Sequence, residues 1–216
     1  MFRSIPILSL VISLTACTRE GVAEPQEHGI VGKKAPDLGL TQWVDASGQA
    51  SDPISLASLK GKIVILEFWQ SWCPGCHSHG LPTLKLIKQA FKSETRVAML
   101  GIQTVFEGHH VNTFDKLATT QKRHQLDIPM AHDPGTEATG GRSTLMGSYR
   151  SGGTPWFVLI DHTGTVIYND FNVDGPRAID YIRSLLEKMP SSPESAQSGA
   201  PQKVRTEKPT KAPSKP

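Results

Sequence analysis

Cys73 and Cys76 lie three residues apart where an apolar run meets a helical pattern, in Phe68-Trp69-Gln70-Ser71-Trp72-Cys73-Pro74-Gly75-Cys76. Two thiols at this spacing can close into a small disulfide ring and reopen. A thiol at a helix N-terminus meets unpaired backbone N–H groups and the positive end of the helix dipole. Both favour thiolate, the form that attacks disulfides. The residues therefore point first to redox chemistry on protein disulfides. A zinc site would need four ligands, usually with a second Cys or His pair at close spacing. The only other cysteine is Cys17, so no second Cys pair exists. A purely structural bridge here would close a tiny loop and add little stability.

Other chemistries fit the same residues. Cys73-Pro74-Gly75-Cys76-His77 spells the c-type haem attachment signature. A carrier of Cu(I) could use both thiols and a nearby His, because soft thiolates favour that ion. It would bind copper stoichiometrically and reduce no insulin. His109, His110, His124 and His132 are scattered with no ligand spacing and read as surface histidines, so no metal site is expected. His77 and His79 follow the thiols closely. As cations they would lower the Cys73 pKa. As plain helix histidines they would only be solvated.

The elements around the pair alternate in type. Ile63 to Trp69 is nearly all apolar, as in a strand buried on both faces, with Glu67 the exception. A carboxyl group inside such a run is costly without a purpose. A helix is predicted from Pro74 to Phe91, with Leu81, Leu84, Ile87 and Phe91 on one face and a kink at Pro82. Arg96 to Thr104 is a second apolar strand, and His110 to Gln125 reads as a helix. Pro129 to His132 is a short strand. Thr144 to Tyr149 reads as a helical turn. Trp156 to Ile160 and Thr165 to Asn169 flank the hairpin signal Asp161-His162-Thr163-Gly164. Ile179, Ile182, Leu185, Leu186 and Met189 mark a last amphipathic helix. Leu38 to Trp43 and Ile54 to Leu56 are strand candidates at the front, around a turn at Asp45 to Gly48. The alternation implies an α/β fold, a mixed sheet with helices on both faces.

The ends are different in kind. Met1 to Arg3 is charged, Ile5 to Leu14 is mostly apolar, and Leu14-Thr15-Ala16-Cys17 follows. That order describes a secretory signal. The apolar run is too short for a bilayer span, which needs about 20 residues. Leu-Thr-Ala-Cys resembles the bacterial lipobox, so Cys17 is expected to be lipidated and to hold the protein to a membrane. Residues 18–30 read as a linker and 31–189 as the folded domain. Residues 190–216 are rich in Pro, Ser and Lys and should be disordered. The tail carries five Lys/Arg and two Glu, which equals the formal +3 of the whole chain of 216 residues. The domain is therefore balanced in charge, and a nucleic-acid partner has no support.

Several pieces together resemble one family. Phe68-Trp69-x-x-Trp72-Cys73-x-x-Cys76 is similar to the thioredoxin active site. Gly32-x-x-Ala35-Pro36-Asp37 and Leu59-Lys60-Gly61-Lys62 resemble the opening of the TlpA/ResA-type thiol–disulfide oxidoreductases. Gly153-Thr154-Pro155 resembles the family's cis-proline loop, and Leu159-Ile160-Asp161-x-x-Gly164-x-Val166 its closing hairpin. The similarity spans about residues 30–189. It argues against haem attachment. It implies a thioredoxin-like fold: a central mixed β-sheet flanked by helices, with an N-terminal β-hairpin extension and a helix–strand segment inserted within 104–132.

The resemblance also implies roles. Cys73 attacks, and Cys76 resolves the mixed disulfide. Glu67, where thioredoxins carry a buried acid, accepts the Cys76 proton. Trp72, Thr154 and Pro155 meet the substrate. The chain departs from the pattern at His79, where the family usually carries Glu. Pro82 falls six residues after Cys76 rather than five, which implies a one-residue shift or bulge. The implied protein is a monomeric reductase of the bacterial cell envelope, facing the periplasm or extracytoplasmic space. It needs no cofactor and draws electrons from an upstream thiol donor. A disulfide oxidase or isomerase is the alternative direction. A peroxiredoxin would need Thr and Pro just before a lone Cys, and none precedes Cys73.

Overall fold

The computed structural model describes residues 28–189. The expected signal segment with Cys17, most of the expected linker and the 190–216 tail lie outside the described residues. At the start of the described residues the His28 ring meets Trp156 edge-on, and Ile30 is buried.

Seven strands form one sheet: β1 (Gln42–Val44), β2 (Ala50–Ser51), β3 (Ile63–Trp69), β4 (Val97–Thr104), β5 (Met130–Asp133), β6 (Trp156–Ile160) and β7 (Val166–Phe171). Their order across the sheet is β2-β1-β5-β4-β3-β6-β7. β3 runs parallel to β4, and β4 parallel to β5. The remaining pairs are antiparallel. The helices are α1 (Leu81–Ala90), α2 (Lys116–His124), α3 (Thr144–Ser148) and α4 (Gly175–Lys188). The mixed sheet, the front hairpin and the inserted α2–β5 segment match the expected architecture.

Alternation along β3 sorts its side chains. Ile63, Ile65 and Trp69 join the core under α1 and α4, together with Cys73, Cys76, Leu81, Leu84, Ile87, Ile179, Ile182 and Leu186. Val64, Leu66 and Phe68 face the opposite core, with Tyr149, Leu145 and Leu38. Period two in the strand thus puts Glu67 on the face that carries the disulfide.

Short-range chemistry closes the turns. Asp45 Oδ1 accepts from Ser47 N at 2.8 Å and Gln49 N at 3.1 Å, which shapes the β1–β2 hairpin. Asp161 does the same for Thr163 N and Thr165 N ahead of β7. Asp174 caps α4 by accepting from Arg177 N at 2.9 Å.

Three local expectations need correction. Ile54 to Leu56 is no strand: Ser55 caps a short 3₁₀ turn over Leu56–Leu59, accepting from Ser58 N at 3.3 Å. Of the first strand candidate, Leu38 to Trp43, only Gln42 and Trp43 pair, in a strand that runs on to Val44. The helix expected from His110 starts at Lys116 instead. The Asn112 side chain takes the Glu107 and Gly108 carbonyls at 3.0 and 3.2 Å, a local alternative to helix.

The helix after Cys73 holds the implied bulge. Cys76–Gly80 is a wide turn in which Leu81 N–H bonds to the Cys76 carbonyl, five residues back. One extra residue is thereby absorbed before α1. Pro82 falls in the first turn of α1 and does not break it, because a missing N–H is tolerated at a helix start.

Candidate active site

Beyond Trp69 the chain turns tightly, and Cys73 N–H returns to the Gln70 carbonyl at 3.2 Å. Cys73 and Cys76 are joined as a disulfide, with Cα atoms 5.3 Å apart. Cys73 keeps 6% exposure, whereas Cys76 has none. A partner can therefore reach one sulfur and not the other. The Cys76 backbone N–H points at Cys73 Sγ from 3.2 Å, and His77 N–H closes the first turn on the Cys73 carbonyl at 3.3 Å. One N–H of the helix start is thus directed at the accessible sulfur.

The peptide Thr154-Pro155 is cis, and the Thr154 carbonyl oxygen lies 3.7 Å from Cys73 Sγ. Pro155 also packs against the helix: its Cδ lies 3.4 Å from where a Cβ on Gly75 would sit. The expected loop and the disulfide are therefore neighbours.

Glu67 is fully buried in β3, opposite Gly101 of β4 and Phe157 of β6. Neither carboxyl oxygen has a hydrogen-bond partner among the described residues. Burial raises its pKa well above the ordinary carboxylate range. It sits under the wide turn, close against Gly80. An unpaired acid in this place is a poised proton acceptor or donor.

Ser71 is held from three sides. Its N–H donates to Asn112 Oδ1 at 2.7 Å, its hydroxyl accepts from Gln103 Nε2 at 2.6 Å, and its carbonyl accepts from His77 Nε2 at 2.7 Å. Asn112 also donates to Gln70 Oε1 at 3.1 Å. Gln103 accepts in turn from His132 Nδ1 at 2.6 Å. His132 is buried, not on the surface as its sequence context suggested, and burial lowers its pKa. His124 is half-buried and stacks on His77 with ring centroids 5.1 Å apart. His79 is exposed and takes no part in this network, whereas His109 bonds the Gly141 carbonyl at the surface. Trp72 stands 44% exposed beside Cys73, its indole N–H directed to Gln70 Oε1 at 3.3 Å.

A model of the AhpC/TSA family matches residues 31–169. The chain belongs to the AhpC/TSA family. Within it, this AhpC/TSA protein is 28% identical to the thiol-disulfide oxidoreductase ResA of Bacillus cereus over 189 residues, covering 88% of this chain and 95% of that protein. The crystal structure of a thioredoxin-like superfamily protein superposes with a TM-score of 0.62 at 35% identity, covering 71% of this chain and 96% of the other. A thiol-disulfide isomerase from Corynebacterium glutamicum superposes at 0.60 with 32% identity, covering 70% and 96%. The expected thioredoxin-like fold and ResA/TlpA-type kinship are therefore borne out. Among the described residues, no helix is long and apolar enough to cross a membrane.

Ser71, Gln103, Asn112 and His124 were not singled out by type or spacing as parts of the site. Asn112 gives the one faint signal, a lone amide among turn residues in a segment that otherwise reads as helix.

Proposed function

We propose that this AhpC/TSA protein is a thiol–disulfide oxidoreductase of the bacterial cell envelope that reduces disulfides in protein partners. The observation that carries the reading is the one-sided access to a bonded pair: Cys73 reachable and beside the Thr154 carbonyl, Cys76 sealed beneath it. In the reduced enzyme, the Cys73 thiolate attacks one sulfur of the partner disulfide and the other leaves as a thiolate that takes a proton. Cys76 then loses its proton to Glu67 and attacks Cys73 Sγ. The second partner sulfur leaves as a thiol, and Cys73–Cys76 closes again. An upstream dithiol reopens it, becoming a disulfide itself. Thr154 offers backbone groups to an extended partner segment, and Trp72 covers it with an apolar ring. Cys17 carries the lipid anchor, on the reading of Leu14 to Cys17 as a lipobox.

A Cys76→Ser variant tests the mechanism. It should trap partners as mixed disulfides on Cys73 that reductant releases, whereas Cys73→Ser should trap none. Equal trapping by both variants would overturn the assignment. One similar structure bears the name isomerase, so the direction needs its own measurement. A reduction potential near the thioredoxin value of about −270 mV supports a reductase, and one nearer about −120 mV supports an oxidant.

A further inference from the structure

We propose that His77 and His124 form a proton-holding pair that takes up one proton when the Cys73–Cys76 disulfide is reduced, and so keeps Cys73 as thiolate. This rests on the redox reading given above. Both are positioning residues, acting on the reactive sulfur through charge and through Ser71.

Hydrogen-bond roles follow from the partners. The Ser71 carbonyl only accepts, so His77 Nε2 carries a hydrogen. His77 Nδ1 is then the acceptor in its 2.8 Å contact with His124 Nε2, and the shared hydrogen belongs to His124. His124 Nδ1 is left as the open position of the pair. A proton there breaks no contact. It turns the His124-to-His77 bond into a charge-assisted one, which is the stronger kind. A second proton would set N–H against N–H between stacked rings. The pair is therefore built to hold one proton and to resist two.

The surroundings set when that proton arrives. Burial first, then His77, Arg123 and Lys85, hold His124 below its ordinary range. Lys85 on α1 donates to Gln125 Oε1, and Asp127 beyond α2 is taken by Lys88. Glu67 lies under Gly80 in the same wide turn, and His79 faces solvent. With the disulfide closed, these groups therefore disfavour a proton on His124. Reduction places a negative charge on Cys73, whose carbonyl His77 N–H already bonds. That charge favours the cation one turn away.

The step balances. A donor dithiol supplies two electrons and two protons and becomes a disulfide. The Cys73–Cys76 bond breaks, Cys76 takes one proton as a thiol, and His124 Nδ1 takes the other. Cys73 remains thiolate. His77 belongs to the wide turn Cys76–Gly80, which absorbs the extra residue.

The test combines thiolate ultraviolet absorbance with the pH dependence of the disulfide equilibrium, using the purified full-length protein in dithiothreitol buffers. Wild type should show thiolate while the equilibrium with dithiothreitol stays independent of pH, because the enzyme takes up both protons that the donor gives. In His77→Gln/His124→Gln, thiolate should appear only where one proton is released and the equilibrium shifts about tenfold per pH unit. His124→Gln alone keeps an amide donor for His77 and should still lose the extra proton, which separates proton storage from packing. If the variants retain thiolate and the pH-independent equilibrium together, the proton resides elsewhere and the proposal is overturned. If wild type cannot be cycled at all, the redox reading falls instead.

Discussion

Gly80 lies directly over Glu67: a methyl group on Gly80 would meet Glu67 Oε1 at 2.5 Å and Pro155 Cβ at 2.6 Å. The wide turn, the buried acid and the cis-proline loop therefore meet at a residue with no side chain. Gly80→Ala should cost about 1–3 kcal/mol, as overpacking of a full core does. Denaturant unfolding would read the loss. An unchanged midpoint would mean that the turn has slack at this point.

Glu67→Gln should change both stability and rate. Burial raises the Glu67 pKa, so the folded protein holds this proton more tightly than the unfolded chain. The resulting stability is fully present below the unfolded value of about 4.3 and is lost as pH rises through the folded pKa. The variant has no such loss, so its advantage over wild type should grow with pH in unfolding experiments. Resolution of the mixed disulfide should slow about a hundredfold for want of a base. Stopped-flow measurement of partner release would check it.

Asn112→Ala should unsettle the reactive loop. It leaves the Ser71 N–H and the Glu107 carbonyl without the partner they have now. The expected cost is about 1–3 kcal/mol. Asn112→Asp keeps an acceptor for Ser71 but turns a carboxylate toward the oxygens of Gln70, Glu107 and Gly108, so it should not restore stability. Hydrogen exchange at Ser71 would report the loss locally.

Trp72→Ala should act on partners rather than on the fold. The ring is 44% exposed, so stability should move by no more than about 0.5–1 kcal/mol. The kcat/KM for a protein disulfide should fall several-fold, with little change for dithiothreitol. An equal change for both substrates would place Trp72 outside partner recognition.

Much of this arrangement was legible along the chain. Period two in Ile63 to Trp69 places Glu67 on one face with Ile65 and Trp69, and that face is the one under the disulfide helix. The displaced Pro82 announced an extra residue, which the structure absorbs in the turn Cys76–Gly80. The braces of Ser71 were not legible. Asn112, Gln103 and the His77–His124 contact join residues 41, 32 and 47 positions apart. No local period links such pairs; only the closing of the sheet does. The helix start at Lys116 failed for a related reason, because Asn112 is held by Gln70 and Ser71, which lie 42 and 41 positions away.

Strand β5 is paired on both sides, to β4 and to β1. The segment bearing Asn112 and His124 is strung between β4 and β5, which are neighbours in one sheet. It is fastened at both ends, and Asn112 ties it to Gln70 and Ser71 as well. The surface around Cys73 thus works like a die rather than a glove. A surface braced in this way leaves more of the bending needed to bring a disulfide onto Cys73 to the partner. Segments already loose enough to bend are the ones such an enzyme would serve first.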